Sequence, residues 1–145
     1  MAGTTIVLTN EKEIVEAIIE FQKNTRRIWY ACVDSTLPSF SVGRVKEGYI
    51  AAKKRGVKIR YITEITKNNL EYCMEIMNFV ELRHLDGVRG NFAVSDTEYV
   101  SGVKQGDALV RLVKTTVAEL VKQQQLVFET LWIQSVPAAE HIGKI

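Results

Sequence analysis

Hydrophobic positions recur along the chain with two different periods, and each period predicts one type of element. Behind the N-cap Asn10, apolar residues spaced i, i+4 and i+7 predict an amphipathic helix that ends near Asn24. The largely apolar run at 26–33 predicts a strand that is covered on both faces. Positions 57–63 alternate between apolar and polar side chains, and this alternation predicts a further strand.

The remaining elements complete an alternating order of strands and helices. Helices are predicted at 41–55, where Gly56 supplies the C-cap, and at 67–78 behind the cap Thr66. Short strands are predicted at 5–8, 80–85, 91–95 and 99–102, the last two forming a hairpin, and one long helix at 107–135 is followed by a kink at Pro137. The order βαβαβαβββα predicts an α/β fold, a mixed β-sheet flanked by helices on both faces.

Length and composition are those of one globular domain. The 145 residues suffice for one hydrophobic core, and 46% of them are hydrophobic while 25% are charged. We therefore interpret 1–145 as a single domain. Residues 1–3 are set aside as a possible cloning remnant.

Charge and cysteine content restrict the partners and the location. The net charge is only +2, with basic and acidic residues interspersed, which predicts neither a nucleic-acid partner nor an anionic membrane surface. No apolar run is long enough to span a bilayer, and the N-terminus lacks a secretory pattern. Cys32 and Cys73 are interpreted as reduced, buried thiols, which favours a cytoplasmic location.

Polar side chains gather where three of the predicted strands end. Asp34 and Ser35 follow the strand at 26–33, and a larger group lies in or after the next two strands. Because ligands of α/β sheets bind outside the carboxyl ends of the strands, we expect these residues to converge on one crevice. In the alternative, 63–69 only caps a helix and Arg83 forms a solvated pair with Glu81. The candidates in the larger group are Arg60, Thr63, Glu64, Asn68, Arg83, His84 and Asp86.

His84 and Asp86 are two residues apart, so a strand would place both on the same face. Two ligands are too few for a zinc site and the cysteines lack Cys-x-x-Cys spacing, so no metal is predicted. The sequence contains no G-x-S-x-G nucleophile elbow, no G-x-G-x-x-G fingerprint and no Walker loop. We predict no cofactor, and His84 is interpreted as a hydrogen-bonded structural group.

The predicted hairpin resembles a known catalytic motif in its spacing. Residues 88–102 read VRGNFAVSDTEYVSG, and this run resembles the signature hairpin of the phospholipase D-like superfamily, His-x-Lys-x4-Asp. Arg89 stands at the histidine position, Asn91 at the lysine position and Asp96 at the aspartate position. The resemblance implies a phospholipase D-like fold in which the catalytic motif has degenerated.

The departures from the motif predict a loss of catalysis. In the enzymes of this superfamily the histidine is the nucleophile and the lysine binds the phosphate. Arg89 stays protonated at any ordinary pH and cannot attack phosphorus, and Asn91 supplies no charge to a phosphate. We therefore expect a protein that is not an enzyme. His84, five residues upstream of the first motif position, is the alternative nucleophile.

Two longer segments resemble one family of signalling proteins. Residues 60–102 and 123–142 are similar to the N-terminal module of multidomain sensor histidine kinases from ammonia-oxidising archaea. A related inactive phospholipase D-like module is the effector-binding domain of archaeal sugar-responsive transcription regulators. The resemblance implies a non-catalytic input domain that precedes a downstream signalling domain. The pairing of single-motif phospholipase D-like enzymes across a dimer further implies a homodimer.

The sensor hypothesis places a small polar or anionic ligand in the strand-end crevice. Arginine suits such a ligand because its planar guanidinium binds two oxygens at once. The proposed set is Arg60, Arg83 and Arg89 for the charge, with hydrogen bonds from Thr63, Glu64, Asn68, His84, Asp86 and Asn91. The long C-terminal helix would relay binding to an output linker that begins at Pro137. Two alternatives are a ligand-free dimerisation or protein-interaction module and a cryptic phosphodiesterase or nuclease.

Overall fold

The computed structural model describes residues 2–106 and 108–145. The strands are β1 (Thr5–Leu8), β2 (Ile28–Cys32), β3 (Lys58–Thr63), β4 (Glu81–His84), β5 (Asn91–Ser95), β6 (Tyr99–Gln105), β7 (Ala108–Thr115) and β8 (Val136–Pro137). The helices are α1 (Glu11–Asn24), α2 (Pro38–Ser41), α3 (Lys46–Lys54), α4 (Leu70–Ile76), α5 (Ala118–Gln134) and α6 (Ala138–Ile142).

All eight of these strands form one mixed sheet in the order β1-β7-β6-β5-β2-β3-β4-β8. Strands β2, β3 and β4 run parallel, and every other neighbouring pair is antiparallel. Strand β1 forms one edge of the sheet and the two-residue strand β8 forms the other. The predicted α/β fold with a mixed sheet is therefore confirmed.

Helices cover the sheet on both faces, and the strand alternation decides which side chains they meet. We call one side the α1 face: Trp29, Ala31 and Tyr61 pack there against α1, α3 and α4 in the larger core. We call the other side the α5 face: Tyr30 and Ile62 pack there against α5 in the smaller core. Successive residues of a strand point to opposite faces, so neighbours in sequence serve different cores.

Local sequence explains where several elements begin and end. The Asn10 side chain accepts a hydrogen bond from the Glu13 backbone N–H at 3.1 Å, which caps α1 as predicted. Gly56, predicted as the C-cap, lies one residue beyond the C-cap Arg55 of α3 and adopts φ 87°, a left-handed conformation that favours glycine just after a helix. Among the described residues, no helix has both the length and the apolar composition needed to cross a membrane.

The prediction of one long helix at 107–135 is wrong. Residues 108–115 form β7, which pairs with both β1 and β6, and only Ala118–Gln134 is helical; Asp107 lies outside the described residues. Leu109, Leu112 and Val113 fit a helical spacing, but the segment is a strand because β1 and β6 pair with it on both sides. The 17 residues of α5 span about 26 Å, so the helix does not overreach the domain.

Two shorter predictions also need correction. The helix predicted at 41–55 begins only at Lys46 as α3, because residues 42–45 form a turn that follows the short helix α2. The helix predicted at 67–78 starts only at Leu70, because the Asn69 side chain accepts a hydrogen bond from the Thr66 backbone N–H and holds the preceding residues in a turn. Met74, an apolar residue of this helix, is 56% exposed.

Both cysteines are buried and free, one in each half of the core. Burial raises the pKa of the Cys32 and Cys73 thiols to about 12. The two side chains therefore behave as protonated, apolar groups at neutral pH.

Candidate functional site

The carboxyl ends of β2 and β3 meet the start of β5 at one edge of the sheet, which we call the carboxyl edge. Asn91 begins β5 and is 7% exposed, and Asp34 lies just beyond β2. The Asp34 backbone N–H donates to Asn91 Oδ1 at 2.9 Å, and Asn91 Nδ2 donates to Asp34 Oδ2 at 2.8 Å. The residue at the lysine position of the motif is thus bound twice to one acidic neighbour.

Asp34 has further partners. Its Oδ1 accepts hydrogen bonds from the Thr36 backbone N–H at 2.9 Å and from Thr36 Oγ1 at 2.6 Å. Lys104 Nζ lies 3.9 Å from Asp34 Oδ1 and donates to Thr36 Oγ1. Burial raises the pKa of the Asp34 carboxyl, but the hydrogen bonds from Thr36 and Asn91 and the Lys104 ammonium outweigh this effect and lower the pKa below its ordinary value. Asp34 is therefore a carboxylate at neutral pH.

The other two motif positions lie apart from this pair. Arg89 is exposed, and its side chain makes no hydrogen bond or ion pair with any residue that the structure describes. Asp96 follows β5 at its far end, about 16 Å from Asn91 at 3.3 Å per residue. Its carboxylate accepts backbone N–H groups from Arg26, Arg27 and Ile28 at 2.8–3.2 Å. Asp96 therefore fixes the start of β2 at the opposite edge of the sheet.

His84 is the last residue of β4, and its ring contacts Ile65, Asp86 and His141. Its Nδ1 accepts the Ile65 backbone N–H at 2.9 Å, and its Nε2 lies 2.7 Å from Asp86 Oδ1. Since Nδ1 accepts, the proton must sit on Nε2, which donates to Asp86. The His84 ring stacks on His141 of α6 with centroids 3.4 Å apart, and His141 Nε2 lies 3.0 Å from the Ile65 carbonyl oxygen. The two histidines thus bind both polar groups of Ile65.

Thr63, Glu64 and Asn68 lie in or beside the loop that follows β3. Thr63 is fully buried, and its Oγ1 donates to the Asp34 carbonyl at 3.2 Å. The Glu64 carbonyl accepts from Asn69 Nδ2 at 2.9 Å, and Asn68 is exposed. A polar groove of about 280 Å³ opens here, lined by Ser35, Thr36, Ser39, Thr66, Asn68, Asn69 and Tyr72.

The predicted ligand-binding residues do not all lie on one side of the sheet, because Arg60 and Arg83 lie on the α5 face. Arg60 Nη1 donates to Glu129 of α5 at 3.0 Å, and Arg83 Nε donates to Ser135 Oγ at 2.7 Å. Both guanidinium groups lie over the Trp132 ring, at 4.8 and 5.0 Å from its centroid. The two arginines therefore do not converge with Thr63, His84 and Asn91 as the sequence predicts, since residues an odd number apart on a strand face opposite ways.

Sequence reasoning missed the residues that complete the Asp34 cluster. Asp34 was noted at a strand end but left out of the candidate set, and Thr36 and Lys104 were not considered. Lys104 lies near the end of β6, 70 residues from Asp34, and no local pattern connects the two. In the part of the chain that the structure describes, no three His, Cys, Asp or Glu side chains are grouped so as to hold a metal ion.

Comparisons with known proteins identify the fold. No protein-family model and no curated protein matches the chain. NucT from Helicobacter pylori is similar in structure, with a TM-score of 0.73 and 15% identity over 93% of this chain and 98% of that one. Nuc from Salmonella typhimurium, a phospholipase D family member, gives 0.72 and 15% over 93% and 97%. The chain therefore has a phospholipase D-like fold.

A third similar structure is that of an archaeal chromatin protein. TrmBL2, an archaeal chromatin protein whose structure shows a novel mode of DNA binding, matches with a TM-score of 0.71 and 18% identity. The match covers 92% of this chain and 54% of TrmBL2, so the chain spans about half the length of that protein. At this identity the likeness shows the fold alone.

Proposed function

We propose that this chain is a non-catalytic, ligand-binding input domain of a signalling protein of the sensor histidine kinase type. The observation that carries the proposal is the Asn91–Asp34 pair. The position that would present a cationic lysine to a phosphate holds a neutral amide, and both ends of that amide are bound to Asp34. A phosphodiester would meet no free cation at this position.

The remaining candidates for a nucleophile support the same proposal. Arg89 stays protonated and cannot attack phosphorus. Both ring nitrogens of His84 are engaged, one with Ile65 and one with Asp86, so an attack would require at least one of these bonds to break. The domain is therefore proposed to bind rather than to transform its ligand.

The ligand is proposed to be a small polar or anionic molecule in the groove at the carboxyl edge. Thr66 and Asn68 offer a hydroxyl and an amide group there. Arg89 follows β4 in the loop that leads to Asn91, and its exposed guanidinium is available to a carboxylate or a phosphate. Arg60 and Arg83 are left out of this site because they are bound to α5 and to the residue that follows it.

A route from this groove to the C-terminal segment supports a relay. Thr66 lines the groove and is adjacent to Ile65, whose backbone is bound by His84 and His141. His141 belongs to α6, which follows β8 and packs against β4. A ligand that moves Thr66 would act on α6 through Ile65. An output linker from Pro137 and a downstream signalling domain remain proposals.

A thermal-shift screen tests the proposal, with inorganic phosphate, small carboxylates, sugars and nitrogen metabolites as probes. A probe at a hundred times its dissociation constant should stabilise the protein by about 2.7 kcal/mol. We expect the shift to be lost in the double variant Asn68→Ala/Arg89→Ala. The matched control is Lys58→Ala, which removes an exposed cation at the start of β3, at the opposite edge of the sheet.

Other outcomes of the screen favour the alternatives. No shift in a folded protein, together with a dimer in sedimentation, would favour a dimerisation or interaction module. That second candidate, which includes the predicted homodimer, is supported by exposed apolar side chains on α5, with Ile133 81% and Leu126 70% exposed.

Hydrolysis of a chromogenic phosphodiester that disappears in His84→Ala would favour the third candidate, a cryptic phosphodiesterase or nuclease. The absence of a nucleic-acid partner stays a prediction.

A further inference from the structure

Cationic side chains are concentrated at the edge of the sheet opposite the carboxyl edge, which we call the amino edge because β2, β3 and β4 begin there. Segments 22–27 and 53–58 lie at this edge, and they contain seven of the 19 lysine and arginine residues and no Asp or Glu. The rest of the chain has 12 cationic and 17 acidic residues, a net charge of −5. We call the seven exposed side chains the amino-edge patch: Lys23, Arg26, Arg27, Lys53, Lys54, Arg55 and Lys58.

The fold holds the two cationic segments against each other. The Lys58 backbone N–H donates to the Arg27 carbonyl at 2.8 Å, where β2 and β3 begin side by side. Arg55 Nη2 donates to the Gln22 and Thr25 carbonyls, both at 3.0 Å, and α1 packs against α3. Because neighbouring strands lie about 4.8 Å apart and packed helices about 10 Å apart, the patch is preformed and about 15 Å wide.

The charge of the amino-edge patch is not neutralised within the domain. None of its seven cations forms an ion pair with a carboxylate that the structure describes. Asp96 also lies at this edge, but its carboxylate accepts three backbone N–H groups and offsets only part of the positive charge. The patch is therefore an electropositive surface on a domain whose remaining charge is negative.

Stabilisation of helix ends accounts for only part of the patch. Lys23 lies in the last turn of α1, and two lysines lie in the last turn of α3, where a cation interacts favourably with the helix dipole. Arg26, Arg27 and Lys58 lie outside the helices, and their side chains form no hydrogen bond or ion pair with any residue that the structure describes. Three exposed cations are thus left without a structural role.

The composition of the patch favours nucleic acid over other polyanions. The binding energy of a protein interface is concentrated in aromatic and other anchor residues, and helices that bind a membrane surface insert apolar side chains into the lipid. The two cationic segments expose no large hydrophobic side chain. Lysine and arginine side chains suffice to contact the phosphates of a duplex, and about four phosphates of one strand, at about 3.4 Å each, fit along the patch.

We infer that the amino-edge patch binds double-stranded nucleic acid through its phosphates, without regard to base sequence. Arg26, Arg27 and Lys58 make the contacts, and the lysines at the helix ends add long-range attraction. The inference goes beyond the proposed function. It opposes the prediction, made from the interspersed charges of the sequence, that the domain has no nucleic-acid partner. Because the patch and the groove lie at opposite edges of the sheet, failure of the ligand screen would leave the inference standing.

Fluorescence anisotropy of a labelled 20-base-pair DNA duplex tests the inference. Binding should weaken about 100-fold between 50 and 200 mM KCl, as about four phosphate contacts require. The triple variant Arg26→Gln/Arg27→Gln/Lys58→Gln should bind roughly tenfold or more weakly at 50 mM KCl. Its slope of log K against log salt should be smaller by about 2.7, which is about 0.9 for each lost contact. Duplexes of unrelated sequence should bind wild type equally.

The matched control Lys12→Gln/Arg111→Gln/Lys122→Gln removes three exposed cations from α1, β7 and α5 and changes the net charge by the same amount. It should retain most of the wild-type affinity, and circular dichroism checks that both variants are folded. An equal loss in the two triple variants would overturn the inference, since binding would then follow net charge. An unchanged anisotropy with wild type at 50 mM KCl, or binding to vesicles of anionic phospholipid but not to the duplex, would also overturn it.

Discussion

The two faces of the sheet use their polar side chains in opposite ways. On the α1 face, Thr63, His84 and Asn91 are neutral and bind loops at the carboxyl edge. On the α5 face, Arg60 and Arg83 are charged and bind Glu129 of α5 and Ser135 at its end. One face thus uses neutral side chains to hold the loops at the carboxyl edge, whereas the other uses cations to attach a helix.

This difference teaches that the position of a polar residue at a strand end does not identify its role. Arg83 and His84 are adjacent in β4, yet one contacts Trp132 and the other contacts Ile65. Alternation along the strand separates them by the thickness of the sheet. The face of the sheet, and not the distance along the chain, decides which residues share a site.

The largest expected effect concerns the attachment of α5. Phe128 is fully buried and stacks on Tyr30 at 4.7 Å, so Phe128→Ala should lower the free energy of unfolding by about 3–5 kcal/mol in urea denaturation. The control Leu126→Ala, at a position that is 70% exposed on the same helix, should change it by less than about 0.5 kcal/mol. Equal effects at the two positions would mean that α5 does not pack as described.

An intermediate effect is expected for Arg83, whose role distinguishes the two faces most directly. Arg83→Ala removes the hydrogen bonds to Ser135 and should lower the free energy of unfolding by about 2 kcal/mol. The thermal shift caused by any ligand of the carboxyl edge should persist in this variant. A stable Arg83→Ala protein that has lost ligand binding would contradict this assignment and would mean that Arg83 is part of the ligand site.

The smallest effect is a pH dependence at Asp34. Its pKa lies below the ordinary value of about 3.9, so the carboxylate stabilises the folded state above about pH 4, and this contribution is lost as the pH falls through the folded-state pKa. The stability difference between wild type and Asp34→Asn, measured by urea denaturation, should therefore shrink from pH 6 to pH 3. The control Gln123→Ala, which changes an exposed, non-titrating side chain on α5, should show a difference that does not depend on pH. A constant difference for Asp34→Asn would contradict the assigned role of the carboxylate.

Local patterns predicted those parts of the fold that local interactions determine. The hairpin of β5 and β6 was predicted because its turn at 96–98 and its flanking strands are contiguous, and the first helix because Asn10 caps it. β7 was missed although it forms a hairpin with its chain neighbour β6, because its sequence lacks the alternation of apolar and polar residues that is typical of a strand. An isolated segment that contains Leu109, Leu112 and Val113 satisfies a helical spacing equally well.

The site was less predictable than the fold, because its contacts cross the sheet. Asn91 and Asp34 are 57 residues apart in the sequence, and Lys104 donates a hydrogen bond to Thr36, which is 68 residues away. Their meeting depends on the placement of β5 between β2 and β6, which no sequence period specifies. The motif spacing located Asn91 but gave no information about the acid that it binds.

Strand β1 has a consequence for how the domain behaves at high concentration. It pairs with β7 on one side, and on its other side no described strand pairs with it, so backbone donors and acceptors face outward there. Ile6 and Val7 are 46% and 58% exposed, and the strand contains none of the lysine or proline residues that protect such edges elsewhere. The domain therefore presents a template for edge-to-edge addition of further chains. A single lysine at Val7 is the simplest change that would keep concentrated samples free of aggregates.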